Sequence, residues 1–153
     1  DARLQLTKNF STNHQLSIVK GKDTSLDRAL INMPPVNTTN SLTFKNEKLN
    51  NLRLGITSQY VFRQNEFPNN NFEVFIPETE TTEVVDLSTP PDAYHLLGFT
   101  SSIDFSVFNK STLNVGLDVS NIFNTEYRDY LNRLRYYADD LGRNVTLRLK
   151  LNY

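Results

Sequence analysis

The chain lacks cysteine and tryptophan, and none of its apolar runs approaches the roughly 20 residues of a membrane-spanning helix. Without cysteine, neither a disulfide framework nor a thiolate metal site can be built. No segment has the charged-then-apolar pattern of a signal peptide, and the sequence begins at Asp1. An excess of charge of one sign is missing too. Sixteen Lys and Arg against seventeen Asp and Glu leave a net charge of -1. The charges are dispersed, which argues against the basic patch of a nucleic-acid-binding surface. His14 and His95 are the only histidines, too few and too far apart in sequence to nominate a metal site. No Ser-His-Asp arrangement, phosphate-binding loop or close carboxylate pair stands out. The expectation is therefore a non-enzymatic protein with no cofactor.

What is present is period-two alternation within 153 residues, enough for one domain. At the C-terminus Val145, Leu147, Leu149, Leu151 and Tyr153 alternate with Asn144, Thr146, Arg148, Lys150 and Asn152. A strand points successive side chains to opposite faces, so this segment has one aliphatic face and one polar, cationic face. Such a pair of faces suits lipid on one side and a water-filled lumen on the other. Six further stretches alternate in the same way, around residues 2–7, 15–18, 36–45, 52–63, 97–107 and 113–120. A helical period fits none of them. The hydrophobic fraction of 38% looks low for a membrane protein. A barrel, however, needs apolar residues only at every second strand position. A soluble all-β domain is the alternative that composition leaves open.

The connections divide into two classes that alternate along the chain. Short polar turns are expected at Asn9–Asn13, Asn46–Asn50 and Phe108–Ser111, and long connections at Gly21–Pro34, Gln64–Asp92 and Asn121–Gly142. Outer-membrane barrels have short periplasmic turns and long extracellular loops. Phe44, Phe105, Phe108 and Tyr153 fall near the short-turn ends, and Tyr60, Phe62, Tyr94 and Phe123 near the long-loop ends, as two aromatic girdles would. Seven strands do not close a bacterial barrel, which has an even strand count. Nor can an open edge be left unpaired in lipid. The expectation is an all-β, antiparallel transmembrane barrel segment. Residues 1–153 would then be the C-terminal part of one larger barrel domain. The alternative is a complete small barrel serving as an adhesin or structural outer-membrane protein.

Residues 93–153 carry a more specific signal. The run Ala93-Tyr94-His95-Leu96-Leu97-Gly98-Phe99 opens the fifth strand. Asn121-Ile122-Phe123-Asn124-Thr125-Glu126-Tyr127-Arg128 follows the sixth, and Gly142-Arg143-Asn144 opens the last. This resembles the C-terminal end of TonB-dependent outer-membrane receptors, and in particular the siderophore or metal-complex receptors of Bacteroidetes type. Ile31–Pro35 is similar to that family's Pro-containing return into the barrel. The resemblance implies about seven strands of a barrel of about 22, enclosing a plug domain. It also implies uptake of an iron–siderophore or similar metal complex, powered from the periplasm. The implied partners are the rest of the barrel and its plug, the TonB system, the lipid bilayer, the barrel-assembly machinery and a small-molecule chelate. The plug and the TonB-engaging segment, N-terminal in that family, have no counterpart in these residues.

The last long connection holds Tyr127, Arg128, Tyr130, Arg133, Arg135, Tyr136 and Tyr137. Arginine offers charge-assisted hydrogen bonds and tyrosine a flat face with a polar tip, a combination suited to an anionic, aromatic chelate. The same residues could instead brace the loop. Tyr127, Leu131, Leu134, Ala138 and Leu141 have near-helical spacing, which would make a short amphipathic helix. On the polar strand faces, Arg53, Arg63, Asp104, Asp118, Arg148 and Lys150 are expected to line the lumen or contact a plug.

Overall fold

In the computed structural model, which describes residues 1–108 and 111–153, every regular element is a β-strand. In chain order these are β1 (Ala2–Gln5), β2 (Phe10–Ser17), β3 (Lys22–Asp23), β4 (Arg28–Ala29), β5 (Asn37–Asn46), β6 (Leu52–Val61), β7 (Phe72–Ile76), β8 (Thr81–Val85), β9 (Tyr94–Phe108), β10 (Ser111–Ser120) and β11 (Asn144–Asn152). Seven of them form one sheet in the order β1-β2-β5-β6-β9-β10-β11, and each neighbouring pair is antiparallel. The sheet is thus an antiparallel meander, the connectivity of a β-barrel wall. The hairpins β3–β4 and β7–β8 stand apart from it, within the first and second long connections.

Register fixes the faces. Val115 is opposite Leu149 and Ile103, and Leu117 is opposite Leu147, so the apolar positions of three strands align. Leu42 is opposite Ile56, which is opposite Phe99, and Phe10 is opposite Phe44, with ring centroids 4.9 Å apart. The other face carries Arg53, Asp104, Asn114, Asp118, Arg148 and Lys150. Arg148 reaches diagonally past its partner Gly116 to Asp118 at 2.8 Å. Because the side-chain period is two, a one-residue slip in any ladder would move its charges onto the apolar face. Among the described residues, nothing packs on the apolar face. Val145, Leu147, Leu149 and Leu151 are each more than half exposed, and no side chain among the described residues is fully buried. A sheet of this kind has no packed core of its own among the described residues, and an exposed apolar surface of this extent is of the kind that faces lipid or another protein.

The long connections all leave from one end of the sheet and the short turns from the other. The first short turn is Leu6–Asn9 rather than Asn9–Asn13, because β2 already begins at Phe10. Polar residues Ser11, Thr12 and Asn13 hid this strand start. The stacking of Phe10 on Phe44 and the bonds of Leu6 N and Thr7 N to Phe10 O hold it. The second turn occupies residues 47–51. Asn50 and Asn51 adopt φ of 53° and 54°, a left-handed conformation that asparagine tolerates. That conformation presents Asn50 O to Asp104 N at 2.9 Å and Asn51 Nδ2 to Asp104 Oδ2 at 2.9 Å, which docks the turn on β9. The expected turn at Phe108–Ser111 includes positions outside the described residues. In the second long connection, residues 64–92, alternation is too short for the sequence to reveal β7 and β8.

Two further expectations are corrected. Tyr94 does not join a girdle. It lies on the polar face, 8% exposed, with its hydroxyl donating to Asp129 Oδ2 at 2.7 Å. Residues 127–141 form successive turns and no helix. Asp129 Oδ1 takes the Leu131 amide and Asn132 Oδ1 takes the Leu134 amide, so side chains satisfy the N–H groups a helical nucleus would leave free. Tyr60 and Phe62 do pair at the long-loop end, edge to face at 4.8 Å.

The face assignment predicts an asymmetric response to substitution in β11. In the full-length protein refolded into lipid vesicles, Leu147→Arg should lower unfolding free energy by about 2–4 kcal/mol. Arg148→Leu, which loses only an exposed ion pair, should change it by less than about 1 kcal/mol. Equal losses for both variants would refute the assignment.

Candidate functional site

The last long loop, residues 121–143, is closed at its base by the two sequence motifs that flank it. Asn121 is 4% exposed and adopts φ 49°. Its amide donates to Thr125 O at 2.9 Å and Leu141 O at 3.4 Å, and its Oδ1 accepts from Thr125 N at 2.8 Å. One side chain thus ties the outgoing strand to the returning one. Asn124, at φ 54°, accepts from Arg143 N at 2.8 Å. A Cβ on Gly142 would lie 2.7 Å from that same Asn124 oxygen, so a larger residue there would displace the Asn124 side chain from its bond to Arg143. Asn121 and Asn124 of the first motif and Gly142 and Arg143 of the second therefore meet as one latch.

Above the latch, a carboxylate pair organises the loop. Asp140 accepts from Asp129 N at 2.7 Å and from Asn132 Nδ2 at 2.8 Å, while its own amide donates to Tyr127 O at 2.8 Å. Asp129 holds Tyr94 of the barrel wall, and the Tyr94 and Tyr127 rings lie 4.5 Å apart. Burial, with Asp140 and then Asp129 nearby, pushes the Tyr127 phenol up from its ordinary value. Burial does the same for Tyr130, opposed in part by Arg135. Both phenols stay protonated near neutral pH and remain hydrogen-bond donors.

The arginines mostly face inward into the loop. Arg128 Nε donates to Asp139 at 2.6 Å and its Nη1 to Arg135 O at 2.9 Å. Arg135, 9% exposed, lies 4.3 Å from the Tyr130 ring centre and 4.7 Å from that of Tyr136, and donates to the Tyr136 hydroxyl at 2.5 Å. A guanidinium between two aromatic faces is a cation–π clamp. The Tyr136 hydroxyl in turn donates to Leu87 O of the second long connection. A turn fixed by Asp86, whose Oδ1 accepts from Ser88 N at 3.1 Å and Thr89 N at 2.9 Å, presents that carbonyl.

Of the seven candidates, the structure brings Tyr127, Arg128, Tyr130, Arg135 and Tyr136 into internal bracing contacts. It leaves Arg133 exposed and Tyr137 85% exposed. Sequence reasoning passed over Asn121, Asp129, Asn132 and Asp140, which do the organising. The paired asparagines of the first motif, a residue type suited to left-handed backbone, were the available signal.

Below the loop, the polar face offers two concave regions. The upper one, about 370 Å³, is bounded by Gln59, Leu96, Asp118, Ser120, Tyr127 and Leu141. The lower one, about 520 Å³, lies toward the short turns and is lined by Arg53, Asp104, Asn114, Arg148 and Lys150. Asn114 and Asn51 each donate to one oxygen of Asp104, at 2.7 and 2.9 Å. Arg148 is paired with Asp118, whereas Arg53 and Lys150 have no ion-pair partner among the described residues. Arg63, just past the end of β6, pairs with Asp92 at 3.2 Å. His14 and His95 lie on the apolar face, bonded to Asn40 and Ser58.

No family model matches this sequence, and no curated protein matches it. Among solved structures, the chain is similar to one described as copper transporter OprC, at 22% identity and a TM-score of 0.70. The match covers 97% of this chain and 21% of that one, so the chain spans about a fifth of the length of the structure it resembles. The likeness establishes the fold alone, an antiparallel sheet like a section of that barrel.

Two outcomes follow from the loop geometry. Asn121→Ala removes three side-chain bonds and places alanine at positive φ. Hydrogen exchange in residues 125–143 should accelerate by about two orders of magnitude, the equivalent of about 3 kcal/mol, while β10 stays protected. Unchanged exchange would show that the latch does not hold the loop. Acid should release the Asp86 turn that presents Leu87 O to Tyr136. The hydroxyl and amide of Thr89 hold the Asp86 carboxyl down at about 2. A depressed folded-state value means the turn's ordering is complete above the ordinary aspartate range and lost as pH falls through about 2. Amide chemical shifts of Ser88 and Thr89 should report that midpoint, and a midpoint near 4 would contradict it.

Proposed function

We propose that residues 1–153 are the C-terminal strands of a single, larger outer-membrane barrel. We further propose that the complete protein is a transporter that takes up a metal complex through a plugged lumen, energised from the periplasm by the TonB system. The observation that carries this reading is the superposition of nearly the whole chain on a fifth of a barrel described as a copper transporter. The apolar and polar faces of the sheet support it. So do the unpaired outer edges of β1 and β11, which need neighbouring strands if the sheet lies in lipid. Those edges favour the larger barrel over a small adhesin-like one. The proposed partners are accordingly the remaining strands and plug, the lipid bilayer and, during biogenesis, the barrel-assembly machinery. The protein makes and breaks no covalent bonds in this reading.

The finer proposal is that the cargo is an anionic chelate, of which an iron–siderophore is the leading case. The braced loop acts as a rigid platform from which Arg133 and Tyr137 project. Arginine binds carboxylate, catecholate or phosphate oxygens through charge-assisted bonds, and the tyrosine ring packs on a flat ligand. The bracing contacts order the loop before the ligand arrives, which lowers the entropic cost of binding.

Deleting the full-length gene should abolish growth on a ferric siderophore as sole iron source and its radiolabelled uptake. Loss of copper uptake alone would assign copper as cargo, and no change in either would refute the transport proposal. In the intact receptor, Arg133→Ala should weaken chelate binding roughly tenfold, as expected for one charge-assisted bond. An unchanged Kd by fluorescence titration would remove Arg133 from the site.

A further inference from the structure

The apolar face carries a row of polar side chains that the uptake reading does not use. His14 on β2, Asn40 on β5 and Ser58 on β6 are consecutive register partners and stand side by side across three strands. Below them on the same face lie Phe10, Phe44, Leu42, Leu54 and Ile56; above them lie Leu16 and the Tyr60–Phe62 pair. His14 and Asn40 are each four residues from the aromatic pair Phe10–Phe44 that marks the short-turn end. At about 3.4 Å per residue and a tilt of about 40°, that is about 10 Å into an apolar band about 25 Å tall. The row therefore lies near the middle of the bilayer.

Its members bond to one another only in part. His14 Nδ1 donates to Asn40 Oδ1 at 2.7 Å, Asn40 Nδ2 donates to Thr38 Oγ1 at 3.3 Å, and Ser58 is bonded to His95 at 2.8 Å. Nε2 of His14, Nδ1 of His95 and the second amide hydrogen of Asn40 have no partner among the described residues. Hydrocarbon tails cannot supply one, and polar groups kept at that depth are costly.

We infer that this row is an intramembrane contact between two copies of the barrel. A lipid headgroup sits at the interface and does not reach the midplane. A second copy does, because a two-fold axis along the membrane normal places the same row at the same depth. The row is also chemically its own complement. Amide, hydroxyl and imidazole groups both donate and accept, and no Asp, Glu, Lys or Arg stands on this face of β2, β5 or β6 to repel its image. Just below the row, Phe10, Phe44, Leu54, Ile56 and Phe99 line a shallow apolar concavity of about 390 Å³, into which side chains of the partner can pack.

The inference needs only the barrel reading and is independent of the cargo. It can be tested in outer membranes containing the full-length protein in two differently tagged forms. With Leu42→Cys, beside the row, a bifunctional maleimide should give a heat-stable adduct at twice the monomer mass carrying both tags. Leu147→Cys, on β11, should give none. Adding Asn40→Leu to the Leu42→Cys protein should cut the adduct at least tenfold. Heat-modifiability would show that each barrel has folded. No adduct from folded Leu42→Cys barrels would overturn the proposal, as would an adduct with a different protein or one indifferent to Asn40→Leu. Failure of uptake with the adduct intact would overturn the transport proposal and leave this one standing.

Discussion

The structure depends on the backbone hydrogen-bond ladder running from β1 to β11. In a sheet without a packed core, that ladder is what holds the strands, and its register decides which side chains share a face. Each antiparallel pair transmits the alternation to the next. The apolar rank Leu42–Ile56–Phe99 and the charged patch around Arg148 and Asp118 are two results of one register. In the proposed lipid environment the constraint would be stricter than in water. A backbone group that leaves the ladder there has no solvent to bond, and a slipped strand carries its charges into hydrocarbon.

The last loop solves a different problem. It leaves the ladder and must satisfy its own polar groups without forming a helix. Asparagine and aspartate side chains do so by bonding directly to backbone amides: Asn121 and Asn124 at the base, Asp129, Asn132 and Asp140 in the body. The aromatic and cationic residues then fill the spaces between these bonds. Arg135 between Tyr130 and Tyr136, and Tyr94 against Tyr127, convert a 23-residue excursion into an ordered cap on the wall. On that ordered cap Arg133 and Tyr137 are the two of the seven Arg and Tyr candidates that stay outside the bracing contacts.

The apolar face shows where strand alternation stops being a sufficient description. His14, Asn40 and Ser58 occupy positions whose parity assigns them to lipid, yet their chemistry does not suit it. Side chains that break a local rule at the same depth on adjacent strands act together, since each is the register partner of the next.

Much of this was legible in the residues alone. Period-two alternation located the seven strands of the main sheet and their two faces, because the pleat sends successive side chains to opposite sides, but not the two short hairpins. The alternation of short and long connections determined which end of the sheet carries the loops. Asn121, Asn124 and Gly142 stood within the motifs of the sequence, but their meeting at the loop base appears only in the fold. Other features were decided by contacts between residues distant in sequence. The start of β2 at Phe10 depends on Phe44, and the inward position of Tyr94 depends on Asp129. The choice of bracing over exposure for Arg128 and Arg135 depends on Asp139 and two tyrosine rings. A sequence pattern reports what each residue prefers. Which arginine braces the loop and which stays exposed is settled only when partners across the fold compete in three dimensions.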